Sequence, residues 1–154
     1  MSFGYQVLGF GGSGTAASTG NDNGIFGYGY DSYNQTNLVS NVGVVGTDVT
    51  GVGTARGVGA ACEYGGDKGI FGYGNAFPGT TFVSMTNLVS NVGVVGTDVT
   101  GVGTARSALA ACSYGGDKGI FGYGNSGSSP YMVATTNLVS NVGVIGTDVT
   151  GVGT

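Results

Sequence analysis

Short runs of apolar and β-branched residues alternate with glycine-rich breaks along the whole chain, and this pattern predicts short β-strands without helices. Breaks of this kind are typical of hairpins. In the last third of the chain we predict four strands, at residues 108–114, 119–123, 136–141 and 143–149. Their counterparts in the first third lie at residues 5–10, 24–28, 36–41 and 43–49.

The second predicted strand has two different faces. Alternation places Phe121 and Tyr123 on one face, and Ile120 and Gly122 on the other. Because glycine leaves a gap, an aromatic ring of one sheet fits against the glycine side of a copy of that sheet. A contact of this kind is heterologous, so it builds rings or open stacks.

One segment occurs three times. Residues 36–54 read TNLVSNVGVVGTDVTGVGT; the segment returns unchanged at 86–104, and at 136–154 with only Ile145 in place of a valine. A recurrence of 20–50 residues indicates a repeat architecture. The sequence therefore predicts an all-β protein made of repeated units.

A second block defines the unit boundaries. The sequence YGGDKGIFGYGN occupies residues 64–75 and 114–125, and the first unit has a looser version interrupted by an insertion at 13–22. The two blocks together divide the chain into the units 1–54, 55–104 and 105–154.

Between the two blocks, each unit has a stretch that shares almost nothing with the others. Variable loops on a constant frame are where binding residues concentrate. An exposed aromatic ring can stack on a sugar or anchor a protein partner, although these rings can equally well cover a sheet edge. The candidate ligand-binding residues are Tyr30, Tyr33, Phe77, Phe82 and Tyr131.

Composition excludes several classes of function. Glycine supplies 35 of the 154 residues, but 40% hydrophobic content and only two prolines argue against disorder. With four basic residues and a net charge of −4, the chain lacks the basic stripe that nucleic acid requires and the basic face that anionic lipid requires. We expect neither partner.

The sequence also argues against catalysis. The chain has no histidine, so it has no Ser-His or Cys-His pair and no common zinc site. Cys62 and Cys112 lie one repeat apart, a spacing that favours two small buried thiols over a disulfide. We therefore expect no enzyme activity, no cofactor and no metal.

Charged residues recur with the repeat. Asp48, Asp98 and Asp148 occupy one position, and Arg56 and Arg106 follow the first two. The structural interpretation is an aspartate that accepts backbone hydrogen bonds or pairs with arginine in each unit. The alternative is a ring of carboxylates around a channel that binds an ion. In sequence order, Asp148 is the aspartate without a following arginine.

The units resemble kelch-type propeller repeats. The match begins at residues 104–106 (TAR), continues through SALAACSYGGDKGIFGYGN and a variable loop, and ends with TNLVSNVGVIGTDVTGVGT, although the usual tryptophan is absent. This resemblance implies four-stranded blades around a central channel. The GGDKGIFGYG and TNLVSNVGV blocks are also similar to glycine-rich repeats in structural proteins of tailed bacteriophages and other viruses, which implies a virion or appendage component and no chemistry.

Three blades are fewer than the four to eight of typical propellers. We therefore expect a propeller of three four-stranded blades per chain whose ring closes by homo-oligomerisation, with six blades in a dimer or nine in a trimer. The last residue, 154, matches residue 104, which is followed by Ala105-Arg106 at the start of a unit. This match also suggests a ring of several chains.

The sequence thus predicts a non-catalytic structural or binding protein that displays variable loops. The alternatives are a carbohydrate-binding module and a β-solenoid or fibrous protein. No signal peptide is visible at the N-terminus, and the virus resemblance suggests a virion or extracellular setting.

Overall fold

The computed structural model describes residues 6–9, 23–30, 33–76 and 81–153. Within these residues the chain is all-β, as predicted, and contains no helix. The strands are β1 (Gln6–Gly9), β2 (Gly24–Gly27), β3 (Thr36–Val39), β4 (Arg56–Gly57), β5 (Ala60–Tyr64), β6 (Lys68–Ala76), β7 (Thr81–Val89), β8 (Ala110–Tyr114), β9 (Lys118–Gly122) and β10 (Thr136–Val139). Accordingly, no helix in the described part of the chain is long and apolar enough to cross a membrane.

The strands form three antiparallel sheets, each built around a central strand. Sheet 1 has the order β1-β2-β3, and sheet 3 has the equivalent order β8-β9-β10. In sheet 2, β6 lies between β5 and β7 and also pairs with the short β4. The registers match, because Gln6, Ala60 and Ala110 all face the first glycine of their GYG motif.

The fourth strand predicted for each unit does not form as a regular strand: sheets 1 and 3 have three strands, and the additional strand of sheet 2 is the short β4. The segment expected as a fourth strand is joined to β3 only by isolated bridges, at Val45 and at Val49. Between these bridges the Gly46 carbonyl accepts a hydrogen bond from the Asn37 side chain, at 3.2 Å. Because this side-chain bond takes the place of a backbone bond, the ladder is interrupted in every unit.

The hydrophobic core lies between neighbouring sheets. The cluster between sheets 1 and 2 consists of Ile25, Tyr28, Phe71 and Val89. The larger cluster between sheets 2 and 3 consists of Ala60, Cys62, Tyr64, Ile70, Tyr73, Leu109, Phe121 and Val139. Burial of this apolar surface between sheets stabilises their stacking, since a sheet with two apolar faces needs a neighbour on both sides.

Aromatic rings pack into glycine gaps, as the sequence predicted. A Cβ atom built at Gly72 would lie 2.8 Å from Cζ of Phe121 in the next sheet. At Gly27 the same atom would lie 3.1 Å from Cζ of Phe71. Only glycine leaves room for these rings, so the glycine of one unit and the phenylalanine of the next form one contact.

The prediction that Phe121 and Tyr123 share a face was wrong. In the equivalent strand of sheet 2, Phe71 packs against sheet 1, whereas Tyr73 packs against sheet 3. The register of β6 shifts between Gly72 and Gly74, and Tyr73, at this bulge, has a φ of 60°. A bulge re-aims a side chain, so it turns the tyrosine toward the following sheet.

Candidate functional site

The two junctions between sheets are the most elaborate polar sites in the described structure. At the second junction, the fully buried Arg106 donates from Nε to the Tyr123 carbonyl at 2.9 Å and from Nη1 to the Thr104 carbonyl at 3.0 Å. Its Nη2 donates to Asn137 Oδ1 at 2.7 Å. The guanidinium group lies 4.3 Å from the centre of the Tyr73 ring in the preceding sheet, a cation–π contact.

The first junction repeats this arrangement around Arg56. Its Nε donates to the Tyr73 carbonyl at 3.0 Å, and its guanidinium group lies 4.3 Å from the centre of the Tyr28 ring. Here Nη2 and Asn87 Oδ1 have no hydrogen-bond partner, although their counterparts bond in sheet 3. Burial lowers the pKa of Arg56, an effect that the nearby Tyr28 and Asp98 oppose.

The threonine two residues before each arginine donates hydrogen bonds to an aspartate carboxylate. Asp98 Oδ2 accepts hydrogen bonds from Thr54 N at 2.9 Å and from Thr54 Oγ1 at 2.7 Å. Asp148 does the same for Thr104, at 3.0 and 2.6 Å. Burial raises the pKa of both carboxyl groups, but the hydrogen bonds from threonine and asparagine outweigh it and lower the pKa overall. Each Thr-Ala-Arg segment therefore binds the following unit at two points.

The arginines pair with aspartates later in the chain, against the order read from the sequence. Arg56 Nη1 lies 3.8 Å from Asp98 Oδ1. The positive charge of Arg106 contributes to the lowered pKa of Asp148. The aspartate without an arginine is thus Asp48, in the first unit, and not Asp148. The reason is that the chain crosses to the next sheet before the arginine, so the arginine joins that sheet's own aspartate.

Asp48 lies in a surface pocket of about 200 Å³ on sheet 1. Asn37 Nδ2 donates to Asp48 Oδ1 at 2.8 Å, the same bond that its counterparts make in sheets 2 and 3. The lining of the pocket combines aromatic rings, amides and one carboxylate: Phe26, Gly27, Tyr28, Gly29, Tyr33, Gln35, Asn37 and Asp48.

The outer face of sheet 3 exposes tyrosine side chains whose equivalents in sheet 2 are buried. Tyr114 is 40% exposed, whereas the equivalent Tyr64 is 4% exposed. Tyr123 is 49% exposed, whereas Tyr73 is fully buried against sheet 3. A Cβ atom at Gly122 would meet only Thr136, at 3.3 Å, with no aromatic ring in the gap. This face therefore has the shape and composition of an interface without its neighbour.

The candidate loop aromatics do not share one environment. Tyr30 and Tyr131 are 74% and 63% exposed, and Tyr33 lines the pocket on sheet 1. Phe82 is half-buried within β7, opposite Asn75, so this part of the expected loop extends a hairpin. Phe77 lies outside the described residues.

Valines form a regular exposed row in the segments that follow β3, β7 and β10. Val44, Val94 and Val144 are each 63% exposed. An apolar side chain is therefore exposed at one equivalent position in every unit.

Four junction residues were not predicted from the sequence: Thr54, Thr104, Asn87 and Asn137. A signal was available, because each unit has an asparagine inside an otherwise apolar strand and a TAR segment spans each of the two boundaries between units, at 54–56 and 104–106. A buried amide needs hydrogen-bond partners, so its strict repetition pointed to a repeated polar contact. Among the described residues, no group of three or more His, Cys, Asp or Glu side chains could hold a metal ion.

The two cysteines differ more than predicted. Both are free, and Cys62 is buried as expected, but Cys112 is exposed on the outer face of sheet 3. Burial raises the pKa of the Cys62 thiol to about 12.

In the dilute, folded monomer we expect iodoacetamide to alkylate Cys112 faster than Cys62 by at least about a hundredfold, because the thiolate is the reactive form and Cys62 is both protonated and buried. Peptide mass mapping at timed intervals measures the two rates. Equal rates under native conditions would contradict the packing of sheet 3 over Cys62, and equal rates in 6 M guanidinium chloride serve as the control.

A scan against protein-family models finds no match for this chain, and a search of curated proteins finds none either. The geometry of the junctions and of the outer sheet faces is therefore the basis for assigning a function.

Proposed function

We propose that this is a non-catalytic structural repeat protein whose chains associate end to end through the contact that joins its own sheets. One observation carries the proposal. The junction is built twice inside the chain with the same residue types and with the guanidinium group 4.3 Å from the tyrosine ring centre in both, while the outer face of sheet 3 leaves Tyr114 and Tyr123 exposed. A contact between one face and a different face is heterologous and closes into a ring when the rotation permits.

The two outer faces complement each other. Sheet 3 offers the gap at Gly122 beside Tyr123, and sheet 1 offers Phe26, the counterpart of the rings that fill such gaps inside the chain. Phe26 is half-buried, whereas its counterparts Phe71 and Phe121 are covered by the preceding sheet. Association would cover Phe26 and Tyr123 together.

The assembly we propose is a propeller of kelch type, closed by two chains with six blades or by three with nine. The same junction occurs twice along the chain, which supports a regular ring. The resemblance to repeats of phage and virus structural proteins supports a role in a virion. In that role the variable loops, with Tyr30 and Tyr131, would face partners.

Gly122→Ala tests the association. The added methyl group would meet only the Thr136 methyl group Cγ2, at 3.3 Å, and a shift of a few tenths of an ångström relieves this contact, so the free energy of unfolding should change by less than about 1 kcal/mol. The same methyl group would obstruct the ring of Phe26 in a neighbouring chain. We expect native mass spectrometry across a concentration range to show a discrete dimer or trimer for the unchanged chain and a monomer for the variant.

Two readouts make this test decisive. Assembly should also protect Cys112 from alkylation, since its counterpart Cys62 is covered at the internal junction. An unchanged chain that stays monomeric at all concentrations would contradict the proposal, and a ladder of growing species would indicate an open fibre in place of a ring.

A second candidate function is carbohydrate binding. The observation that favours it is the pocket on sheet 1, where the Tyr33 ring, the Gln35 amide and the Asp48 carboxylate lie together. Aromatic stacking with polar groups around it is a common way to hold a sugar ring. Selective retention on a glycan array that is lost in Tyr33→Ala would support this function.

A further inference from the structure

We propose that the pocket on sheet 1 binds a Thr-x-Arg segment of another polypeptide. The threonine would donate to Asp48, and the guanidinium group would donate to Asn37 Oδ1 and to the Tyr28 carbonyl. This inference goes beyond the proposed self-association, because a second copy has no spare arginine: both arginines of the chain, Arg56 and Arg106, are buried in its own junctions.

The two internal junctions define what such a site recognises. Each junction contains a Thr-Ala-Arg segment. Its threonine hydroxyl donates a hydrogen bond to the aspartate, and its arginine Nε donates one to the tyrosine carbonyl. In sheet 3 the arginine Nη2 also donates to Asn137 Oδ1. The site thus forms hydrogen bonds with two side chains of the segment, threonine and arginine, and with the backbone N–H of the threonine. Specificity therefore comes from several directed hydrogen bonds.

Sheet 1 holds Asn37 against Asp48 as sheet 3 holds Asn137 against Asp148. Asn37 Nδ2 donates to Asp48 Oδ1 at 2.8 Å and to the Gly46 carbonyl at 3.2 Å. The counterpart Asn137 makes both bonds, at 2.9 and 3.0 Å, and thereby turns its Oδ1 toward Arg106. The Asn37 amide is therefore already fixed in the orientation that accepts a guanidinium group, and the ligand would not have to order it.

The first unit does not supply its own arginine. The registers of β1 and β5 make Gln6 the equivalent of Ala60, so the position of Arg56 corresponds to Ser2 in the sequence. A serine has no guanidinium group to place between Asn37 and the Tyr28 carbonyl. The acceptors of sheet 1 thus match an arginine that the chain itself does not carry.

The first unit also has a difference that suits an external ligand. Tyr33 lines the pocket, whereas the equivalent residues of the other units are Val83 and Val133. At the internal junctions the aromatic surface under the arginine comes from the preceding sheet, through Tyr28 and Tyr73. In sheet 1, Tyr33 provides an aromatic ring from the same unit, so a guanidinium group could be bound by a single chain.

The test is isothermal titration of the full chain, at a concentration where it is monomeric, with the peptide acetyl-Gly-Val-Gly-Thr-Ala-Arg-amide. We expect saturable binding with one peptide per chain. Replacement of the peptide's arginine by lysine should weaken binding at least about tenfold, since lysine cannot donate in the planar, forked geometry. Replacement of its threonine by valine should weaken binding to a similar degree. Free L-arginine should bind at least about tenfold more weakly than the peptide, because it lacks the threonine contacts.

Variants of the protein locate the site. Asp48→Asn keeps the shape and removes the charge, and should weaken peptide binding at least about tenfold. Tyr33→Ala, in an exposed loop, should weaken it severalfold without affecting the fold. Asp117→Asn is the charge-matched control, because Asp117 pairs with Lys118 on a turn, and it should leave binding unchanged. Equal urea midpoints for all variants establish that each is folded.

Several outcomes would overturn the proposal. Equal affinity of the arginine and lysine peptides would exclude guanidinium recognition, and free arginine binding as tightly as the peptide would exclude recognition of the segment. Full affinity in Asp48→Asn, or loss of affinity in Tyr123→Ala, would place the peptide elsewhere. Because the titration uses the monomer, a failure here leaves the self-association proposal standing, and the reverse also holds.

Discussion

Tyr73→Ala is expected to lower the free energy of unfolding by about 3–5 kcal/mol, the usual cost of removing a large buried aromatic side chain. Tyr73 is fully buried, its ring centre lies 5.2 Å from that of Phe121, and it carries the guanidinium group of Arg106. Its hydroxyl also donates to the Val102 carbonyl at 3.1 Å. Alanine has the same difficulty as tyrosine with a φ of 60°, so the change does not relieve backbone strain.

The repeat provides the matched control. Tyr123 has the same backbone conformation, with a φ of 62°, but is 49% exposed on the outer face of sheet 3. Tyr123→Ala should therefore cost less than about 1 kcal/mol. Urea unfolding of dilute monomer measures both values. A loss at Tyr123 equal to that at Tyr73 would contradict the assignment of the junction as the source of stability.

Arg106→Ala is expected to lower the free energy of unfolding by about 3–5 kcal/mol, the range for removing one partner of a buried charged group. The change leaves Asn137 Oδ1 and the Tyr123 carbonyl without their donor. It also removes the contact with the Tyr73 ring. Arg106→Lys should restore only part of the loss. The planar guanidinium group reaches three separate acceptors at once, and the compact ammonium group of lysine cannot reach all three.

Lys118→Ala is the control for the loss of a positive charge. Lys118 pairs with Asp117 on an exposed turn, so its urea midpoint should equal that of the unchanged chain. If Arg106→Ala unfolded at that same midpoint, the guanidinium site would be ruled out as a stabilising element, and the inference about sheet 1 would lose its template.

Much of the local structure could be predicted from the sequence. The glycine-bounded apolar runs predicted the strands of each sheet, and the glycine doublets at Gly65-Gly66 and Gly115-Gly116 take the positive φ that their turns require. The ring-in-gap contact followed from alternation in one strand. The fourth strand did not follow, because periodicity does not reveal that Asn37 would occupy the Gly46 carbonyl.

The candidate site was less predictable. The recurring aspartates and arginines were visible in the sequence, but their pairing was not, since Arg56 is eight residues from Asp48 and 42 from Asp98 and joins the distant one. The bulge at Tyr73 likewise depends on the neighbouring sheet that receives the tyrosine. The arginine–aspartate pairing and the bulge both depend on contacts between residues far apart in the sequence, and local sequence patterns do not reveal such contacts.

The sequence by itself determined the all-β class and the division into repeats, because strand periodicity, glycine punctuation and recurrence are local properties of the chain. Only the tertiary structure decided which faces are covered. The same tyrosine in the same motif is buried as Tyr73 and half-exposed as Tyr123, and the same aspartate binds a Thr-Ala-Arg segment as Asp148 but not as Asp48. The physical reason is that burial and hydrogen bonding depend on the neighbouring sheet, and identical residues differ when their neighbours differ.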